Sequence, residues 1–166
     1  MAGSVSLAYA RLDAAAVLGL LAEWQDEIVA ARPGFAPAAG SAVSVGEFEP
    51  PEGAFLLATR DGAPVGCGGV RRLVGSVGEV KRLFVRREAR LKGVGGLLLR
   101  GLEEQARSLG FGVLRLDTAG GAAGALALFR SAGYREIADY NGNPNARHWF
   151  EKRLALNSPA GRPSPR

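Results

Sequence analysis

A lone cysteine, Cys67, rules out an intrachain disulfide, and with a single histidine, His148, the chain has no Cys/His spacing of a structural zinc site. A reducing, cytoplasmic setting and no metal are expected. Aromatic residues make up only 7% of the chain and do not interleave with its 21 Lys and Arg as they would on a single-strand-binding face, so no nucleic-acid partner is expected. No stretch approaches the ~20 consecutive apolar residues of a membrane span. The apolar run at residues 14–21 has the look of a signal-peptide core, but Asp13 precedes it and Glu23, Asp26 and Glu27 follow, so neither export nor a membrane partner is expected.

No block of like charge marks an acidic or basic tail, and the net charge of +5 admits an acidic ligand without choosing one. The length, 166 residues, suits one domain with a sizeable core, expected over residues 1–155. The Pro-, Ser- and Gly-rich stretch from Asn157, within residues 156–166, reads as a flexible C-terminal tail.

Weak alternation over residues 5–9 predicts a strand, followed by a helix from an Asp13 N-cap to Ala31 that ends at Arg32-Pro33-Gly34. Residues 34–53 carry Pro and Gly without a sustained period, which predicts a loop with a short helical turn. Asp61-Gly62 between apolar runs at 54–60 and 63–73 predicts a β-hairpin. Residues 79–85 form the next strand, with Val77-Gly78 as the turn before it. Because alternation holds only at its start, its far end is expected to be buried on both faces.

The clearest helix runs from Val94 to Leu109 and is stopped by Gly110. A strand at 113–117, a helix at 124–132 capped by Gly133, and strands at 134–138 and 147–154 complete the pattern.

Between the strand at 79–85 and the clearest helix stands Arg90-Leu91-Lys92-Gly93-Val94-Gly95-Gly96. The first N–H groups of a helix lack internal acceptors and point, with the helix dipole, at whatever lies in front of them. Glycines let phosphate oxygens approach that backbone, and Arg90 and Lys92 add positive charge. A purely structural turn is the competing reading of the loop alone. A P-loop is excluded because Gly96-Leu97 stand where Lys and Ser or Thr belong, and a dinucleotide fingerprint because Leu98 replaces its third glycine.

The segment resembles the pyrophosphate-binding motif of the GNAT N-acetyltransferase superfamily: Arg or Gln, two residues, Gly, one residue, then Gly or Ala. The preceding Glu-Val-Lys-Arg-Leu-Phe-Val strand, the Leu109-Gly110-Phe111 helix end and Leu128-Phe129-Arg130-Ser131-Ala132-Gly133-Tyr134 extend the resemblance over residues 54–154. It implies an α/β fold: a mixed, mostly antiparallel sheet of about seven strands, splayed between strands 4 and 5 and flanked by about four helices. The implied co-substrate is acetyl-coenzyme A. Leu83, Phe84 and Val85 would pair with the pantetheine arm through their backbone, the loop from Arg90 to Gly96 (Arg90, Leu91, Lys92, Gly93, Val94, Gly95, Gly96) would wrap the pyrophosphate, and Phe129 and Arg130 would flank the arm near the thioester.

The resemblance implies an acetyl transfer to a primary amine by direct attack, the acceptor being a small molecule or peptide. Glu79 stands where many relatives carry the general base, a solvated strand-end glutamate being the competing reading, and a backbone N–H of Val85 or Leu83 would stabilise the developing oxyanion. Phe129 stands where many relatives carry the tyrosine that protonates the leaving thiolate. Tyr140 is the candidate replacement, Tyr134 being expected in the core. A second departure is the absence of an asparagine from residues 117–124. These two losses keep open a non-catalytic acyl-coenzyme A binding or sensing module on the same fold.

His148 reads as structural rather than as a second base, and Asn141 and Asn143 as shaping a turn beside the acceptor cleft. Trp24, Glu27, Phe35, Glu47 and Tyr140 fall in regions that would face an acceptor, without a diagnostic pattern. Oligomeric state stays open. Family members often pair through their last strands, which admits a homodimer.

Overall fold

The computed structural model describes residues 3–40, 42–119 and 123–155. The expected tail at 156–166 and residues 120–122 of the Gly/Ala-rich stretch lie outside them. The elements are β1 (Val5–Tyr9), α1 (Ala15–Ala31), β2 (Gly53–Arg60), β3 (Ala63–Val74), β4 (Val77–Val85), α2 (Val94–Ser108), β5 (Val113–Thr118), α3 (Ala123–Ser131), β6 (Arg135–Ile137) and β7 (His148–Arg153). Short 3-10 turns occupy Pro37–Ala39, Val45–Phe48 and Arg87–Ala89. Three α-helices are present among the described residues, where about four were expected.

The strands form one seven-stranded sheet in the order β1-β2-β3-β4-β5-β7-β6. All neighbours are antiparallel except β4 and β5, which run parallel. The β2–β3 turn is tight because Asp61 (φ 51°) and Gly62 (φ 78°) both take positive φ, the conformation whose twist matches a hairpin.

Alternation along the strands divides the core in two. Ala54, Leu56 and Ala58 of β2 face a cluster with Leu98, Leu99 and Leu102 of α2 and with Phe129 and Phe150. Phe55, between them, faces the opposite cluster with Val17 and Leu20 of α1, Phe48, Cys67 and Phe84. Helix α2 lies close to the sheet because residue 101 is glycine: a Cβ there would stand 2.7 Å from Leu7 Cδ1 and 3.0 Å from Leu56 Cδ1.

Three expectations require correction. The N-cap of α1 is Ala14, without a side-chain cap, because the Asp13 carboxylate is held by Arg11 at 2.9 and 3.1 Å. The turn before β4 is centred on Gly75 (φ 53°), so Val77 and Gly78 belong to the strand, where both pair with β5. Burial along β4 runs opposite to expectation: Glu79, Val80 and Lys81 at its start are buried, whereas Leu83 and Val85 near its end are half-buried. The start of β4 lies between two paired neighbours, and its end does not.

No described helix is long and apolar enough to cross a membrane.

Candidate active site

Strands β4 and β5 pair only at Val77–Val113, Gly78–Leu114 and Glu79–Arg115, and then diverge. Beyond Glu79 the β5-facing edge of β4 is left without a strand partner. At Arg82 the backbone turns to φ 58°, and the β3–β4 register shifts between Cys67 and Gly69, which marks a bulge. The open edge therefore runs through Leu83, Phe84 and Val85, and leads to the loop ahead of α2.

In that loop Gly93 is the N-cap of α2 at φ 82°, and the first intrahelical bond runs from Leu97 N–H to the Gly93 carbonyl at 3.0 Å. The N–H groups of the first turn have no intrahelical acceptor. A Cβ at Gly93 would meet nothing within 4 Å, so the space before the helix is open and the φ value is what calls for glycine. Leu91, at φ 59°, is 99% exposed. Gly95 faces Leu128 of α3, 3.1 Å from where a Cβ would stand.

The two cations of the motif are both engaged within the protein. Arg90 donates to the Val85 carbonyl at 2.9 Å, pairs with Glu27 of α1 at 2.6 and 2.8 Å, and lies over the Phe84 ring. The hydrogen bond from Arg90, set against partial burial, holds the Glu27 carboxyl below its ordinary range. Lys92 donates to the Glu88 carbonyl at 3.0 Å. In this arrangement Arg90 shapes the loop and ties it to α1, and what the loop turns toward the space before α2 is backbone N–H groups and the helix dipole.

Phe129 is 6% exposed, with its ring against Tyr134 and Phe150 in the core. Arg130 pairs with Glu136 at the surface. Tyr134 is buried as expected and donates to Glu103 at 3.2 Å; burial, followed by the Glu103 charge, pushes its phenol far up. His148 contacts Glu136 at 2.6 Å.

A polar cluster forms where β4 and β5 part. Glu79 is 1% exposed, and both carboxylate oxygens are occupied. Oε1 accepts from Arg71 Nε (3.2 Å) and Nη2 (3.0 Å), with Lys81 Nζ at 3.6 Å. Oε2 accepts the Tyr140 hydroxyl at 2.6 Å. Lys81 also reaches Asp117 at 3.4 Å, and Asn141 and Asn143 donate to the same Asp117 oxygen.

Tyr140 is partly exposed, with the Arg115 guanidinium 5.5 Å from its ring centroid. Burial, reinforced by the Glu79 charge and hydrogen bond, pushes the Tyr140 phenol far above its ordinary value. Among the described residues no group of three or more His, Cys, Asp and Glu could hold a metal ion.

The structure thus brings Glu79 and Tyr140, both named from sequence, into direct contact, and adds Arg71, Lys81 and Asp117, which sequence reasoning missed. A signal for Arg71 existed: with the turn at Gly75 instead of Val77-Gly78, Arg71 falls directly opposite Glu79 in the β3–β4 ladder.

A sequence model of the acetyltransferase (GNAT) family matches residues 11–134, a span that stops short of Tyr140. An IAA acetyltransferase from Azospirillum brasilense is 40% identical over 87 residues, 52% of this chain and 57% of that protein. The chain spans 57% and 61% of the length of the curated relatives it matches. Among solved structures, an acetyltransferase of GNAT family from Staphylococcus aureus Mu50 superposes with TM-score 0.71 at 17% identity, covering 92% of this chain and 100% of that one. The PaiA N-acetyltransferase of Thermoplasma acidophilum in complex with coenzyme A superposes with TM-score 0.67 at 15% identity, covering 90% and 99%.

Proposed function

This chain belongs to the acetyltransferase (GNAT) family, and from that premise we propose that it moves an acetyl group from acetyl-coenzyme A to a primary amine by direct attack in a ternary complex. The co-substrate supplies an activated thioester carbonyl. The first-turn N–H groups of α2 and the Gly93–Gly96 backbone would hold its pyrophosphate, and the unpaired edge of Leu83, Phe84 and Val85 its pantetheine amides. The open space at Gly93 and the missing strand partner beyond Glu79 fit that cargo.

The observation that carries the reading is the 2.6 Å bond from Tyr140 to Glu79 at the divergence of β4 and β5. An alkylamine of pKa ~10 is neutral in only about one part in a thousand at pH 7, a handicap of roughly 4 kcal/mol that a general base offsets. Glu79 is too buried to meet an amine directly, so Tyr140 connects them. Its oxygen takes the proton from the attacking nitrogen as its own proton passes to Glu79 Oε2. The carbon–nitrogen bond forms, the carbon–sulfur bond breaks, and the thiolate takes up a proton from solvent.

With Phe129 in the core and Tyr134 committed to Glu103, neither serves as the acid for that last step. A thiol of pKa ~8.5 is a tolerable leaving group without one. The same absence supports the second reading, an acyl-coenzyme A binding or sensing module that does not turn over. The acceptor is a small-molecule or peptide amine, and the setting is the cytoplasm, where a lone thiol such as Cys67 stays reduced.

Calorimetric titration with acetyl-coenzyme A, combined with thiol release against a panel of primary amines, tests the proposal. Turnover that falls about a hundredfold in Glu79→Gln with coenzyme affinity retained supports it. Binding without turnover on every amine favours the sensor, and absence of binding removes both readings.

A further inference from the structure

Arg71 is 9% exposed and uses all three guanidinium nitrogens. Nε and Nη2 grip Glu79 Oε1, while Nη1 turns the other way and donates to the Ala42 carbonyl at 2.9 Å and to Glu47 Oε1 at 3.1 Å. Glu47 sits in the Val45–Phe48 turn, where a capping box with Ser44 fixes its position. Phe48, next along, is buried against Phe55 and presses on Gly69: a Cβ at residue 69 would stand 2.5 Å from the Phe48 ring. The turn is thus anchored to the sheet by an aromatic ring and to Glu79 by one arginine.

We propose that Arg71 is a positioning residue that joins the proton-accepting carboxylate Glu79 to the acceptor-side segment at residues 42–48, so that the seating of the acceptor and the setting of the base depend on one side chain. The planar fork suits the role, since a single rigid group orients Glu79 in plane and reaches a second carboxylate from its far edge. A lysine cannot do both at once.

The inference rests on reading Glu79 as the base. The charged and titratable groups around Glu79 are Arg71 from β3, Lys81 and Arg82 from β4, Arg115 and Asp117 from β5, Tyr140 from the segment after β6, and Glu47 beyond Arg71. Arg71 is the cation with the shortest contacts to the carboxylate. Without that grip Glu79 Oε1 is left to the longer Lys81 contact, and the carboxylate loses the plane in which Oε2 meets the Tyr140 hydroxyl. Turnover therefore falls when Arg71 loses its fork, and acceptor KM rises as residues 42–48 lose their tie to Glu79.

The test compares wild type, Arg71→Gln, Arg71→Lys, Glu47→Gln and Glu79→Gln by kcat, acceptor KM and acetyl-coenzyme A Kd, with circular dichroism as the check on folding. Arg71→Gln is expected to lower kcat about tenfold and to raise acceptor KM several-fold, with coenzyme Kd within about twofold. Arg71→Lys restores most of kcat but not the acceptor KM. Glu47→Gln, at a side chain 43% exposed, raises acceptor KM several-fold and keeps kcat within about twofold.

A folded Arg71→Gln in which either kcat or acceptor KM stays at the wild-type value overturns the inference. If that variant does not fold, Glu47→Gln decides: an unchanged acceptor KM overturns it. Glu79→Gln separates the two levels. Full activity in that variant overturns the base reading itself, whereas a dead Glu79→Gln beside an unmoved Arg71→Gln overturns only the role of Arg71.

Discussion

The two ends of the cleft are built on opposite plans. At the α2 end, residues 90–96 offer backbone N–H groups and one left-handed glycine to the space before the helix, and the two cationic side chains turn back onto the protein: Arg90 to Glu27 and Val85, Lys92 to Glu88. At the Glu79 end the polar cluster consists mainly of side chains gathered from distant positions, Glu47, Arg71, Glu79, Lys81, Asp117, Tyr140, Asn141 and Asn143, with the Ala42 carbonyl as a backbone acceptor. A backbone site depends on dihedral angles and tolerates changes of side chain. A side-chain site depends on each partner, because removing one member of a buried ion pair leaves the other uncompensated, at a cost of about 3–5 kcal/mol.

Gly93→Val should expose that contrast most strongly. The new Cβ meets no atom within 4 Å, yet φ 82° costs an L-residue about 1–2 kcal/mol, more when β-branched. The loop is expected to shift, weakening acetyl-coenzyme A ten- to hundredfold by calorimetry and leaving acceptor KM in place. Lys92→Gln, which removes a formal charge from the same loop without changing its dihedrals, should stay within about threefold. A larger loss in Lys92→Gln than in Gly93→Val would reverse the assignment of backbone and side chain at this end.

Tyr140→Phe probes the other end with a smaller expected effect. Only one oxygen is lost, so kcat should fall about tenfold with coenzyme Kd unchanged, water serving as a poorer connection to Glu79. Because burial and the Glu79 charge hold the Tyr140 phenol far above its usual value, it stays protonated across the working range. The wild-type rate profile should therefore show no basic limb from this group below about pH 10. A basic limb that vanishes in Tyr140→Phe would show instead that the phenolate form matters.

The same contrast explains what the sequence disclosed. The Asp61-Gly62 hairpin, the glycine loop and α2 are local signals, in which residues close in sequence impose a period or a φ value, and each appears where it was expected. The polar cluster is not local. Arg71 went unread because the β3–β4 turn was placed two residues late, which hid its position opposite Glu79. The burial of β4 was inverted for a related reason. Residue type suggests that Leu83 and Val85 are covered and that Glu79 and Lys81 are wet, whereas charges that satisfy one another can be buried and an edge without a strand partner leaves apolar residues half-covered. Tyr140 was legible only as a nearby phenol, since its bond to Glu79 spans 61 residues.

The smallest effect on activity is expected at Cys67, which lies in the core between these two ends. It is fully buried, and burial pushes its thiol up to about 12. Against a free cysteine of pKa ~8.5 the thiolate fraction at pH 8 falls by roughly a thousandfold, in addition to the steric block. The folded protein should therefore give no reaction with a disulfide thiol reagent over the course of a turnover assay, and one equivalent after denaturation. The linkage has a definite sign: the folded state keeps its proton where the unfolded thiol has lost it, so this group favours folding below pH ~8.5 and that contribution declines as pH rises from there toward 12. Labelling of native protein at the unfolded rate would mean that the sheet opens at Cys67 on the assay timescale. Because Cys67 pairs with Leu57 of β2 and Phe84 of β4, such opening would also loosen the β4 edge on which both ends of the cleft depend.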